Sequence, residues 1–230
     1  MRARLWRNRL CTTSMYPPVK FQTSPFDDQI RLDLNRLSDP WFQDHKETLC
    51  NILNTFSAVN KGFGYPQGLN FLVCPLYYVY FTDNPKMAVQ HTFYSLQGLV
   101  HIVLPLYPLN SKDDEAMKTL QAVSNMVSLK CYQADPNMGV LFEETHVPFM
   151  MGLVCNMVPT LYSNIFSLQD TLLLWDIIFE KKTVNEMFKY SLEVLSRVIM
   201  YHKNMFLHLP VDKCMQVFQE TMRHSISVCI

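Results

Sequence analysis

Glycine is scarce in this chain, with six among 230 residues, and there is neither a low-complexity tract nor an internal repeat. Most apolar spacings have a long helical period, so few glycines and many helix-like periods together predict an all-α fold. Net charge is also missing, since 20 Lys and Arg balance 20 Asp and Glu. Without a basic excess there is no general attraction to a polyanion, which argues against a nucleic-acid partner.

The seven cysteines, at positions 11, 50, 74, 131, 155, 214 and 229, include no Cys-x-x-Cys pair. Odd in number and scattered, they read as buried thiols of a reducing compartment. The seven histidines include no His-x-x-x-His and none sits at ligand spacing from a cysteine, which speaks against a zinc or other metal site.

Two targeting possibilities follow from charge. The first 26 residues carry Arg2, Arg4, Arg7, Arg9 and Lys20 and no acid, as a mitochondrial transit peptide would. Pro17, Pro18 and the lack of a long amphipathic period weigh against that reading. Thr145 to Gln169 is uncharged and long enough for a membrane span. His146, Pro148, Gly152, Asn156, Pro159 and Asn164 would be costly in hydrocarbon, so a buried pair of helices in a water-soluble core is expected there, with no integral membrane segment.

What is present is core material. With 49% hydrophobic and 17% charged residues, the chain suits one large domain or two packed lobes. Arg2 and Trp6 stand four apart, on one helical face. Ser24-Pro25 followed by Asp27 and Asp28 predicts an N-cap, a proline at the first helical position and acids in the first turn. The helix so begun puts Ile30, Leu34 and Leu37 on one edge and Asp33 and Arg36 three apart on a neighbouring one, and Ser38-Asp39-Pro40 ends it. Asp44 to Asn60 predicts a helix with a stripe of Leu49, Ile52, Leu53, Phe56 and Val59.

Further helices are expected over Leu69–Phe81, with Pro75 kinking it or marking its start, over Met87–Leu104, ending near Pro105 and Pro108, and from Ser111 to about Lys130. Others are expected over Leu168–Phe179, apolar on nearly every face, over Val184 to about Leu207, and over Val211–Val228. Between the Asp44–Asn60 and Leu69–Phe81 helices lies Lys61-Gly62-Phe63-Gly64-Tyr65-Pro66-Gln67-Gly68-Leu69-Asn70. Gly62 and Gly64 are free to take positive φ, and Pro66 fixes its own φ. The loop therefore presents Gln67 in one direction, where its amide can orient a water or touch a phosphate oxygen. By itself the loop also reads as a simple helix connection.

Taken together, Ile30-x-x-Asp33-x-x-Arg36, Gly64-Tyr65-Pro66-Gln67-Gly68-Leu69-Asn70 and Leu174-Trp175-Asp176 resemble three ordered motifs of the TBC domain of Rab GTPase-activating proteins. Arg2 and Trp6 fit the opening motif of that family. Leu37 departs from it, since threonine usually follows the motif arginine. The resemblance implies a TBC-type helical domain of two packed lobes, about 1–110 carrying the catalytic motifs and about 111–230. It also implies a GTPase activator with no substrate turnover of its own. Arg36 and Gln67 would be supplied in trans to a GTP-bound Rab-family small GTPase, which itself holds the GTP and Mg²⁺, so the chain needs no cofactor.

In that scheme Asp33 fixes the arginine helix, Tyr65 shapes the loop and contacts the GTPase, and Asn70 holds the turn through local hydrogen bonds. Ile30, Gly64 and Gly68 support the two motifs, while Arg2, Trp6, Trp175 and Asp176 are structural. The implied setting is vesicle trafficking, cytoplasmic or peripheral on endomembranes. Two other readings stand beside this one: a non-catalytic module that binds GTP-loaded GTPases, and a helical enzyme with a Cys–His nucleophile.

Overall fold

The computed structural model describes residues 1–11, 16–106 and 114–222. Among them are twelve α-helices and no strand. The chain divides into two compact units, Met1–His101 and Ile102–Ile230. The expected division near residue 110, the expected helix start at Ser111, Pro108, Cys229 and the expected end at Val228 fall outside the described residues.

The first unit contains α1 (Arg2–Leu10), α2 (Asp27–Asn35), α3 (Pro40–Asp44), α4 (Lys46–Val59), α5 (Leu69–Asp83) and most of α6 (Ala88–Val103). The helix expected over Asp44–Asn60 is α4, and Asp44 closes the short α3 that precedes it across His45. Asp39 caps α3, its carboxylate accepting from the Trp41 N–H at 2.9 Å, with Pro40 at the first helical position. Val59, expected on the buried stripe of α4, is 51% exposed as the last residue of that helix, whereas Leu49, Ile52, Leu53 and Phe56 are buried. α5 runs through Pro75 rather than starting at it.

α1 is seated by its apolar face and by polar contacts. Trp6 and Leu10 are buried, and the Arg7 guanidinium donates to Asp83 Oδ2 at 3.2 Å and to His91 Nδ1 at 3.3 Å. That contact needs an unprotonated Nδ1. Burial, and then the charge of Arg7, lowers the His91 pKa in keeping with it. Arg2 is half-buried at the start of the helix.

The second unit contains α7 (Asp114–Ala134), α8 (Val147–Met157), α9 (Leu168–Glu180), α10 (Val184–Tyr201), α11 (Lys203–His208) and α12 (Val211–Met222). α7 buries Val123, Ser124, Val127, Ser128 and Cys131, a narrow face of small and β-branched residues that lets α8 and α10 approach. The helix expected over Val184–Leu207 is interrupted at His202, giving α10 and α11.

The uncharged stretch is not the pair of helices its composition predicted. Only α8 forms, and Val158 to Phe166 is a series of turns in which Leu161 and Tyr162 both take positive φ, 45° and 67°. For side chains with a Cβ this is strained, so neighbours must hold it. Tyr162 N–H donates to Met157 O at 3.0 Å, the Tyr162 hydroxyl donates to Ser191 O, and the buried Trp175 indole N–H donates to Leu161 O at 2.9 Å. Trp175 therefore staples a bent segment to α9. Asp176 is half-buried beside it and Leu173 is 48% exposed, so α9 is amphipathic rather than apolar all round. Trp175→Phe removes the donor and leaves a void, and is expected to cost about 2 kcal/mol or more of stability, measured by urea unfolding.

Candidate functional site

The first unit brings two exposed side chains onto two segments that are tied together. α2 ends at Arg36, the C-cap residue, whose side chain is 66% exposed. Its Nη1 donates to Asp33 Oδ1 at 3.3 Å, one turn back on the same helix. The other oxygen of Asp33 accepts a hydrogen bond from the Tyr65 hydroxyl at 3.1 Å. Asp33 is thus shared between the arginine and the glycine loop.

Tyr65 is 5% exposed, so it locks the loop to α2 and offers little surface to a partner, contrary to the contact role expected for it. Burial, and then the neighbouring Asp33 carboxylate, push the Tyr65 phenol far above its ordinary range, which keeps it a proton donor. Tyr65→Phe is expected to lower stability by about 1 kcal/mol and to raise hydrogen exchange in the loop.

A second lock lies one residue earlier. Gly64 has φ +66°, and a Cβ there would come 3.1 Å from the ring of Phe26, the residue that precedes α2. Gly68, φ +95°, is the N-cap of α5. Positive φ falls at Gly64 and Gly68, not at Gly62 as expected. Between the two glycines and after Pro66, Gln67 is exposed. Asn70 is buried at the second position of α5. The turn before it is closed by backbone bonds, Leu69 N to Pro66 O and Phe71 N to Gly68 O, rather than by the asparagine side chain.

The platform for α2 comes from α3 and α4. Ile30 and Leu34 are fully buried. Asp27 accepts from Arg31 Nε at 2.9 Å and from the buried Asn54 Nδ2 at 2.6 Å, and Arg31 also reaches Glu47 Oε1 at 2.8 Å. The Arg31 and Asn54 hydrogen bonds hold the Asp27 carboxyl below its usual range. At the other end of α2, Gln43 Nε2 donates to Leu34 O at 2.9 Å and to Leu37 O at 2.6 Å, satisfying carbonyls of the turn that carries Arg36. Sequence reasoning missed Gln43, although Asp39-Pro40, a cap followed by proline, was a signal for the helix that delivers it.

No group of acidic, histidine and cysteine side chains suited to a metal ion occurs among the described residues. Burial raises the thiol pKa of Cys11, Cys50 (to about 11), Cys74, Cys131 (to about 12) and Cys155. Such thiols are protonated near neutral pH and unsuited to nucleophilic catalysis. Among the described residues, no helix is long and apolar enough to cross a membrane.

Three comparisons bear on this geometry. The family model of the Rab-GTPase-TBC domain matches residues 12–207, which includes both tied segments and Trp175 and begins after Arg2 and Trp6. The human growth hormone-regulated TBC protein 1 is 31% identical over 192 residues, 79% of this chain. The chain spans about half of that relative, 51% of its length. The crystal structure of the Ypt/Rab-GAP domain of Gyp1p superposes with a TM-score of 0.64 at 15% identity, covering 99% of this chain and 78% of that one, a likeness of fold.

Proposed function

Because the chain belongs to the Rab-GTPase-TBC domain family, we propose that it accelerates GTP hydrolysis by a GTP-bound Rab-family small GTPase, supplying Arg36 and Gln67 in trans. The observation that carries this reading is the Arg36–Asp33–Tyr65 chain of hydrogen bonds, which ties an exposed arginine to the loop that presents an exposed glutamine.

The chemistry follows from what each side chain can do. Hydrolysis spreads negative charge over the phosphoryl oxygens as the terminal bond breaks, and a planar, permanently charged guanidinium answers it with several donors at once. Arg36 can leave Asp33 cheaply, because the guanidinium side of the pair is solvated and the contact is a long one at 3.3 Å. When it swings to the phosphates, Asp33 keeps Tyr65, so the loop stays in place. Gln67 then orients the attacking water through its carbonyl and amide. GTP and Mg²⁺ belong to the partner in this scheme, and the chain contributes only donors and orientation. We place the reaction in the cytoplasm, on a GTPase of vesicle trafficking.

A substoichiometric amount of the chain should convert an excess of GTP-loaded Rab, with phosphate release continuing over many equivalents. Stoichiometric binding with no release would instead identify a binding module. In the same assay Tyr65→Phe should lower the maximal rate more than the apparent affinity for the GTPase, because the surface is retained while the two finger-bearing segments lose their tie.

A further inference from the structure

Between α7 and α10 the second unit has an open groove of about 510 Å³ whose walls carry Lys130, Lys181 and Lys189 around Tyr190 and Met126. Two glutamates also line it, and both are engaged. Glu186 accepts from the Lys182 and Thr183 backbone N–H groups in the capping box of α10, and Glu193 pairs with Arg197 at 2.6 Å. Lys181 Nζ lies 4.2 Å over the Tyr190 ring and the Arg197 guanidinium 5.6 Å from it, so cations gather on one aromatic floor. The groove itself is lined by three lysines against these two glutamates, a small positive excess in a chain with no net charge.

Apolar side chains are exposed in the groove at Met126, and near its lining residues in sequence at Leu129 and Val184. Met126 is 45% exposed, Leu129, next to Lys130, is 47% exposed, and Val184 at the start of α10 is 48% exposed. A soluble anion has no use for such side chains. A bilayer surface does, since lysine head groups meet phosphates while apolar side chains enter the interface.

We infer that this groove docks the headgroups of anionic phospholipids and holds the chain on a membrane surface without a spanning segment. Charge complementarity and the exposed apolar residues beside the lysines argue for lipid over free phosphate. The inference does not depend on the finger mechanism, because no residue of the groove belongs to the tied segments.

The test is co-sedimentation of the purified chain with vesicles of phosphatidylcholine alone and of phosphatidylcholine mixed with phosphatidylserine. Binding is expected only to the mixed vesicles, to weaken with added salt, and to fall by about 10²-fold when Lys130, Lys181 and Lys189 are all changed to alanine. Met126→Ser with Leu129→Ser should weaken it with the lysines intact. Lys130 and Lys189 are exposed and Lys181 is half-buried on the Tyr190 ring, outside the buried core, so circular dichroism of the triple variant should match the parent, and its stimulation of a GTPase in free solution should be unchanged. Equal sedimentation with both vesicle types, none with either, or full binding by the triple variant would each overturn the inference. So would calorimetric binding of soluble inositol phosphate in this groove without vesicle binding.

Discussion

Replacing Arg36 by alanine is expected to remove stimulation of GTP hydrolysis by roughly 10³- to 10⁵-fold, about 4–7 kcal/mol of barrier. An effect of that size cannot come from the Asp33 pair it also breaks, a single 3.3 Å contact made by a solvated guanidinium, and Asp33 keeps its hydrogen bond from Tyr65. The side chain is 66% exposed and packs into no core, so the thermal transition of the variant should match the parent. Arg36→Lys should not restore the rate, because a single ammonium cannot reproduce the planar fork. Binding of the GTP-loaded partner should largely persist in both. A variant that bound no GTPase would place Arg36 in recognition instead.

The largest stability effect is expected outside the two finger-bearing segments, at Gly98. A Cβ on this α6 glycine would lie 1.7 Å from Leu10 O and 2.7 Å from Leu10 C, both backbone atoms of α1. No rotamer change relieves a clash with a main chain, so Gly98→Ala must push α1 off α6 or bend one of them. The move would pull Trp6 and Leu10 out of their buried seats and stretch the Arg7 contacts to Asp83 and His91. A cost of about 3 kcal/mol or more is expected, the upper end for overpacking, read as a lower urea midpoint. Gly62 is the control: a Cβ there would meet nothing within 4 Å and its φ is not positive, so Gly62→Ala should be close to neutral.

The two loop glycines also mark what a sequence can disclose. Gly62 and Gly64 look equivalent in a glycine-rich loop, but only Gly64 takes positive φ and only it meets Phe26. Gly98 carries no signal of its own, because a single glycine in a helical pattern announces nothing about the chain that crosses it. Local spacing was legible. Asp33 and Arg36 are three apart, and the structure has them at 3.3 Å. The Asp33–Tyr65 bond spans 32 positions and depends on how α2 meets the loop, so no periodicity encodes it.

The helical break in the second unit is hidden for the same reason. His202 interrupts a run expected as one helix from Val184 to about Leu207, and no proline there stops it. Leu161 and Tyr162 are poorly suited to left-handed backbone, and hydrogen bonds to Met157 and Ser191 and from Trp175 help to hold them in it. The late Leu174-Trp175-Asp176 motif was readable as a helix, while the use of its indole as a staple became visible only once the segment was folded.

The most direct measurement is single-turnover GTP hydrolysis across a panel of GTP-loaded Rab proteins, with the parent chain, Arg36→Ala and Gln67→Ala in parallel. The account predicts acceleration of at least one member by the parent and its loss in both variants, with binding of that member retained. Unchanged acceleration by either variant, or binding of a GTP-loaded member without any acceleration by the parent, would contradict it.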